Sequence, residues 1–300
     1  MWNKPWTMKE GFLIGGGLIV IGLILELCVG PVVWETFAWP VNGIVLAIFV
    51  TIIAVMHLLR AKFYAFRFLS TYQAAIPVMC YAVVLTIMMG LTRQTSNGRG
   101  LTNMLSFWPF VLTYVYMAVI VGLVVLKSRL NTKTPSKIVA GIFHLGLFIT
   151  MTTATLGNAD MQRLKMYTMV GEPEWRAINE RMEVVELPLA IQLDRFIMEE
   201  WQGEGIDQHT PKRFASQVQV LTQNGKNIHA TIEVNKPLSI DGWKIYQYGY
   251  DTAMGARSQT SIFELVADPW MPFVYVGIYL MLAGAVLVFI TAQRIKEDEP

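Results

Sequence analysis

Long, uninterrupted apolar runs dominate the chain. A bilayer core about 30 Å thick is crossed by a helix of about 20 apolar residues. Six runs meet that length and predict transmembrane helices: Gly11–Gly30, Pro40–Leu59, Ala74–Leu91, Trp108–Leu126, Ile138–Leu156 and Pro272–Ala292. The fifth run is the weakest, because it is rich in Thr and Gly, but a Thr hydroxyl in a membrane helix can bond back to its own backbone. The pattern predicts a polytopic α-helical membrane protein.

A different pattern occupies residues 157–270, where the second half of the segment alternates between apolar and polar residues. Alternating runs flank the Asn224-Gly225 dipeptide, which predicts a β-hairpin with a type I′ turn. Further strands are predicted at Leu189–Phe196, Trp243–Tyr250 and Ser261–Val266. A short helix is expected around Glu174–Arg181. We therefore expect a mostly antiparallel β-domain that resembles a sandwich.

Composition agrees with a membrane protein. Of the 300 residues, 54% are hydrophobic and 15% are charged, whereas a soluble domain carries roughly 25% charged residues. A net charge of +2 gives no basis for nucleic-acid binding, and the apolar content excludes a disordered chain or a soluble enzyme. Cys28 and Cys80 both lie in apolar runs, which excludes a disulfide framework, a thiolate zinc site and a CxxCH haem-attachment site, and predicts buried, inert thiols.

Basic residues predict the orientation of the helices. Eleven Lys and Arg flank one set of helix ends, and only Arg93 and Arg99 occupy the opposite short loops. By the positive-inside rule both termini are cytoplasmic and the long segment before the last helix lies outside. The expected organisation is a five-helix membrane region (1–156), an extracytoplasmic β-domain (157–270), and a final helix with a cytoplasmic tail (271–300).

The predicted β-domain offers little chemistry. It contains 11 Lys and Arg and 16 Asp and Glu between Gly157 and Asp268, and is therefore acidic. His209 and His229 have no neighbouring ligand pattern and are expected to be solvated or hydrogen-bonded strand residues. Hydrolase, zinc-protease and phosphate-loop motifs do not occur.

Ionisable residues inside the predicted helices are the main functional candidates, because they are costly in hydrocarbon. His57 lies near the basic end of the second run, His144 lies deeper in the fifth, and Glu26 lies near the outer end of the first. Two neutral imidazoles at similar depth on separate helices can act as axial ligands of haem iron. The alternatives are a His57 that reaches the lipid headgroups, a His144 that only fills space between helices, and a Glu26 that makes a helix–helix hydrogen bond.

Several short motifs carry a family resemblance. The residues are Val234–Leu238 with Gly242–Gln247, Phe143–Leu147, and Asp268–Trp270 with Val274–Gly277, supported by the weaker Asp194–Phe196 and Phe214–Ser216. Taken together, and in the order in which they occur along the chain, these motifs resemble those of the CcsB/ResB family of System II cytochrome c biogenesis, over about residues 107–293. Two extra N-terminal helices resemble the CcsB half of fused CcsB–CcsA proteins of the Bacteroidetes type. The tryptophan-rich WWD segment of the CcsA half does not occur.

The resemblance implies a haem-handling or scaffold subunit of a holocytochrome c synthase, or haem lyase, in the bacterial cytoplasmic membrane. It implies haem b as cargo, a CcsA/ResC-type WWD-domain protein as partner, and apocytochrome c as the acceptor whose thiols react. The subunit would not be catalytic on its own. The family's membrane haem ligand matches His144, while His57 is a second choice without a matching motif. Two other functions stay open: a bis-histidine membrane cytochrome b for electron transfer, and a non-haem scaffold whose β-domain binds a protein.

Overall fold

The computed structural model describes residues 2–95, 98–129, 135–201 and 211–297. The chain divides into two compact units. One unit comprises Met1–Asp160 and Trp270–Pro300, and the other comprises Met161–Pro269. We call them the membrane unit and the β-unit.

The membrane unit is helical. Its α-helices in the described part of the chain are α1 (Met8–Val29), α2 (Val41–Leu59), α3 (Tyr64–Leu69), α4 (Tyr72–Leu91), α5 (Trp108–Arg129), α6 (Pro135–Gly157) and α7 (Met271–Glu297). Six of these helices, all but the short α3, are long and apolar enough to cross a membrane. The six predicted transmembrane helices are confirmed, including the Thr-rich fifth run.

Threonine hydroxyls inside α6 form hydrogen bonds with the helix's own backbone, as predicted. Thr150, Thr152 and Thr153 each donate a hydroxyl hydrogen bond of 2.8–2.9 Å to a backbone carbonyl four residues earlier. Because no hydroxyl is left without an acceptor, these side chains do not prevent α6 from lying in hydrocarbon.

Glycines let α6 and α7 approach closely. A Cβ placed on Gly146 would stand 2.5 Å from the Gly277 carbonyl oxygen and 2.6 Å from the Met281 nitrogen. Small residues at such contacts are typical of membrane helices, because packing between helices replaces the hydrophobic effect there. The contact fixes α6 against α7 over the half of α6 that contains His144.

Glu26 caps a neighbouring helix. Its Oε2 accepts a hydrogen bond of 3.3 Å from the backbone N–H of Trp108, the first residue of α5. The indole of Trp108 donates to the Gly30 carbonyl at 2.8 Å. A carboxylate at a helix N-terminus satisfies an otherwise unpaired N–H and interacts favourably with the helix dipole. The interpretation of Glu26 as a helix–helix contact is confirmed.

Asp160 joins three segments at the opposite end of the membrane unit from Arg60. Its carboxylate accepts hydrogen bonds from the Trp39 N–H at 2.7 Å, the Asn42 Nδ2 at 2.7 Å and the Trp270 indole at 2.6 Å. Asn42, fully buried, also donates to the Leu156 carbonyl at 3.2 Å. The start of α2 therefore lies beside the end of α6, and the two helices run antiparallel.

The β-unit is a single antiparallel sheet of eight strands. They are β1 (Gln162–Met169), β2 (Pro173–Ile178), β3 (Val184–Glu200), β4 (Pro211–Thr222), β5 (Asn227–Glu233), β6 (Leu238–Ile240), β7 (Trp243–Tyr250) and β8 (Thr260–Ala267). Their order in the sheet is β5-β4-β3-β2-β1-β8-β7-β6. The sheet curls around a core that includes Ile191, Val220, Ile245 and Phe263, each 0% exposed. The antiparallel, sandwich-like β-domain is confirmed.

Buried polar side chains connect strands of the sheet, including β4 and β7, which are far apart in its order. The Ser216 hydroxyl on β4 donates to the Gln247 Oε1 on β7 at 2.6 Å and lies 2.7 Å from the Ser261 hydroxyl on β8. Thr168 on β1 donates to the Ser261 carbonyl at 3.0 Å. Ser216 and Gln247 both belong to the family-like motifs. Their role here is to hold the curled sheet together.

The helix expected around Glu174–Arg181 is wrong, because this segment contains strand β2. β2 pairs with β3, with Ala177 opposite Val185 and Ile178 opposite Val184. Ala177 is 1% exposed, whereas Arg176 points to solvent and forms an ion pair with Glu174. Pairing with β3 and burial of one face outweigh the local helix preference of a Glu- and Arg-rich segment.

The hairpin at Asn224-Gly225 forms, but its turn differs from the predicted one. Only Gly225 has a positive φ, 76°, and its N–H donates to the Thr222 carbonyl at 3.0 Å. This geometry is a four-residue turn followed by a left-handed glycine, and not type I′. Positive φ at two successive turn residues occurs instead at Asp241 and Gly242, between β6 and β7.

Neither cysteine is packed inside the protein. Cys28 and Cys80 are free thiols exposed on α1 and α4. These two helices bury only 11% and 22% of their apolar windows, so most of their side chains point outward from the membrane unit. The predicted burial of the two thiols is therefore not observed within the protein itself.

Candidate functional site

Three helices converge at Gly122 on α5. A Cβ there would stand 2.9 Å from both Ile53 on α2 and Phe148 on α6. Phe148 also stacks on Phe49 of α2, with ring centroids 6.2 Å apart and an interplanar angle of 8°. This stack fixes the relative height of α2 and α6, and both candidate histidines lie on the same side of it.

His144 lies on α6, four residues before Phe148, and is half-buried. Its Nδ1 is 2.6 Å from the Ala140 carbonyl oxygen. Because a carbonyl can only accept, Nδ1 must carry the proton, and the neutral ring then has its lone pair on Nε2. Among the described residues Nε2 receives no hydrogen bond. A backbone-anchored Nδ1–H with a free Nε2 is the usual form of a metal-ligating histidine.

His57 has the opposite arrangement. Its Nδ1 lies 3.5 Å from the guanidinium Nη1 of Arg60, which can only donate. In the neutral ring Nε2 then carries the proton, and this atom is buried without a partner among the described residues. The residue is 6% exposed. The His57 ring is therefore enclosed by the protein, and its lone pair on Nδ1 faces the Arg60 guanidinium.

The two histidines lie at different heights along antiparallel helices. At 1.5 Å per residue, His144 lies roughly 6 Å from the aromatic stack and His57 roughly 12 Å from it. Arg60 follows three residues later, at the end of α2. Moving from the stack towards this end, the order is apolar rings, His144, His57 and Arg60.

An axial ligand of haem iron must offer an unprotonated imidazole nitrogen. The unprotonated nitrogen of His144, Nε2, has no partner among the described residues, whereas the unprotonated nitrogen of His57, Nδ1, faces the Arg60 guanidinium. No group of three or more His, Cys, Asp or Glu able to hold a metal ion occurs within the described ranges. His144 has the form that one axial ligand of a haem iron would need.

His229 on strand β5 of the β-unit is exposed to solvent. The His229 side chain is 70% exposed, and its Nδ1 lies 3.8 Å from Asp194 Oδ2 beside a shallow cavity of about 350 Å³. This matches the expected solvated strand histidine. His209 lies outside the described residues.

Comparison with known proteins identifies the region that contains His144. Residues 136–262 match the model of the ResB-like family. No curated protein matches the chain. Among solved structures it is similar to a cytochrome c haem lyase, CcmF, with 12% identity and a TM-score of 0.39 over 95% of this chain. The chain spans 46% of the length of that protein. The matched region is less than half of the chain, and it contains the Phe143–Leu147, Val234–Leu238 and Gly242–Gln247 motifs that carry the family resemblance.

Proposed function

We propose that this protein is a haem-handling subunit of a System II cytochrome c synthase. It helps move haem b across the membrane and presents it for attachment to apocytochrome c. Haem is the cargo, and the thiols that add to its vinyl groups belong to the acceptor protein. The ResB-like match supports a role in cytochrome c biogenesis.

The form of His144 is the observation that carries the proposal. This residue lies within the ResB-like region, and its Nδ1–H···O bond to Ala140 leaves Nε2 free for iron. The bond also restricts rotation of the ring, so less entropy is lost when the ligand binds. In the proposal His144 supplies one axial ligand within the membrane, and a CcsA-type partner supplies the other.

The remaining parts of the chain have supporting roles in the proposal. Apolar side chains near His144, such as Phe148, suit a macrocycle that is largely hydrocarbon. The β-unit is acidic, and we propose that it lies on the outer side of the membrane, where it docks the apocytochrome or supports the partner. Neither role requires a nucleophile in this chain.

A bis-histidine cytochrome b is the second candidate function. It is favoured by the placement of His57 and His144 on α2 and α6, on the same side of the Phe49–Phe148 stack. It requires His57 to release Arg60 and turn a lone pair towards iron. An isolated chain with this function would retain one haem with a symmetric low-spin spectrum, whereas the haem-handling subunit retains haem weakly without its partner.

The two functions are separated by alanine variants of the chain co-expressed with its partner. We expect His144→Ala to lower both the haem that co-purifies and the yield of holocytochrome c, and excess imidazole to restore part of the haem. His57→Ala should have a much smaller effect, because the lone pair of His57 faces Arg60 and not an open ligand position. Equal losses in the two variants would favour the bis-histidine cytochrome.

Normal haem content and normal cytochrome yield in a folded His144→Ala complex would leave only the non-haem scaffold. His229→Ala is the matched control, because this histidine is solvent-exposed and its loss should change neither quantity.

A further inference from the structure

Arg60 is a cation without a carboxylate partner among the described residues. It is half-buried at the end of α2, and its guanidinium Nη1 lies 3.5 Å from His57 Nδ1. Other cations at this end of the membrane unit contact an aromatic ring or a backbone carbonyl. Arg67 lies over the Tyr64 ring at 5.0 Å, and the Lys127 ammonium donates to the Ser70 carbonyl at 3.0 Å. A guanidinium held beside a buried imidazole, without a counter-ion, is suited to an anionic ligand.

The height of Arg60 relative to His144 restricts which anion it can meet. The Phe49–Phe148 stack places His144 roughly 6 Å and the Arg60 backbone roughly 16 Å away, on the same side, at 1.5 Å per residue. The flexible arginine side chain covers part of that separation. If the iron of the proposed haem is bound by His144, Arg60 can meet only an acidic group that lies several ångströms from the iron, on one edge of the macrocycle.

We propose that the Arg60 guanidinium binds a propionate carboxylate of the haem whose iron is held by His144. The inference rests on the proposed function and adds an orientation to it, with the propionate edge facing the basic end of the membrane unit. The planar guanidinium can donate two parallel hydrogen bonds to one carboxylate, a geometry that lysine cannot reproduce. Arg60 then distinguishes a porphyrin that carries free acids from one that does not.

The test compares haem with haem dimethyl ester, in which both propionates are esterified. The affinity of each porphyrin is measured by optical titration of the full chain purified with its partner, as wild type, Arg60→Gln and Arg60→Lys. We expect Arg60→Gln to weaken binding of free-acid haem by tenfold or more, as about one charge-assisted hydrogen bond would, and to leave ester binding unchanged. Arg60→Lys should recover only part of the loss.

Lys62→Gln is the matched control, because Lys62 is also a cation at this end but its ammonium lies over the Phe63 ring. It should affect neither porphyrin. Equal weakening of both porphyrins by Arg60→Gln would overturn the proposal, since it would indicate general electrostatics, a lipid headgroup contact or altered folding. An unchanged affinity for free-acid haem in Arg60→Gln would also overturn it. If the wild-type complex bound neither porphyrin, the proposed function itself would fail.

Discussion

Asp160 connects separate segments of the membrane unit through the hydrogen bonds that its carboxylate accepts. Burial alone would raise the pKa of its carboxyl, but the hydrogen bonds from Trp39, Asn42 and Trp270 outweigh burial and lower the pKa below its ordinary value of 3.8. A carboxyl whose pKa is lowered by folding stabilises the folded state above its ordinary pKa. That contribution is lost as the pH falls through the lower, folded-state pKa.

We expect Asp160→Asn to lower the free energy of unfolding by about 1–3 kcal/mol, because an amide has one acceptor oxygen for three donors. The measurement is the thermal midpoint of the full chain in detergent from pH 8 down to pH 3. The difference in thermal midpoint between wild type and variant should be constant from pH 8 to 5 and should become smaller below the ordinary carboxyl pKa. Glu180→Gln, which changes an exposed acid in the same way, should leave the midpoint unaltered. A difference in midpoint that grew larger in acid would contradict the lowered pKa of Asp160.

Among the helices, the contact of α6 with α7 should be the least tolerant of added volume. Gly146→Ala places a methyl group against backbone atoms of α7, which cannot rotate away, and we expect a cost of about 1–3 kcal/mol. Gly17→Ala on α1 is the matched control, because a Cβ there meets nothing within 4 Å. Thermal unfolding of the two variants in detergent measures the difference. Equal midpoints would mean that α6 and α7 are not packed as closely as described.

Among the strands, loss of the Ser216 hydroxyl should destabilise the sheet more than the removal of one small group suggests. Ser216→Ala removes the hydroxyl that bonds to Gln247 and contacts Ser261, leaving their buried polar groups without this partner. We expect a loss of about 1–3 kcal/mol, visible as faster amide hydrogen exchange in β4 and β7 of the full chain. Ser239→Ala, on the exposed side of β6, should not change exchange. Unaltered exchange in both variants would remove Ser216 from the contacts that hold the sheet closed.

Over the whole molecule, features that depend on local pattern could be predicted from sequence, whereas features that depend on distant partners could not. The membrane helices follow from run length against bilayer thickness, and the β4–β5 hairpin follows from alternation around Asn224-Gly225. β2 was missed because its strand form depends on pairing with β3. The contacts of Asp160 were missed because Trp39 and Trp270 are more than 100 residues away from it in sequence.

In the candidate site, by contrast, the features that sequence did not predict depend on residues only three or four positions away. Motif and position identified His144, and the cost of imidazole in hydrocarbon singled out His57. The proton positions on the two rings could not be read from sequence, because each depends on one neighbour, the Ala140 carbonyl or the Arg60 guanidinium. Arg60 was recognised only as part of a basic flank. Its spacing of three residues from His57 on one helix was the signal that would have connected them.

The proposed ligation of haem iron by His144 is best examined at the iron itself. The measurement is the electron paramagnetic resonance spectrum and reduction potential of haem in the purified complex, for wild type and His144→Met. If His144 is an axial ligand, methionine should change the low-spin signature and raise the potential, because thioether ligation favours reduced iron more than imidazole does. A folded His144→Met complex with full haem content, the wild-type spectrum and the wild-type potential would contradict this role for His144.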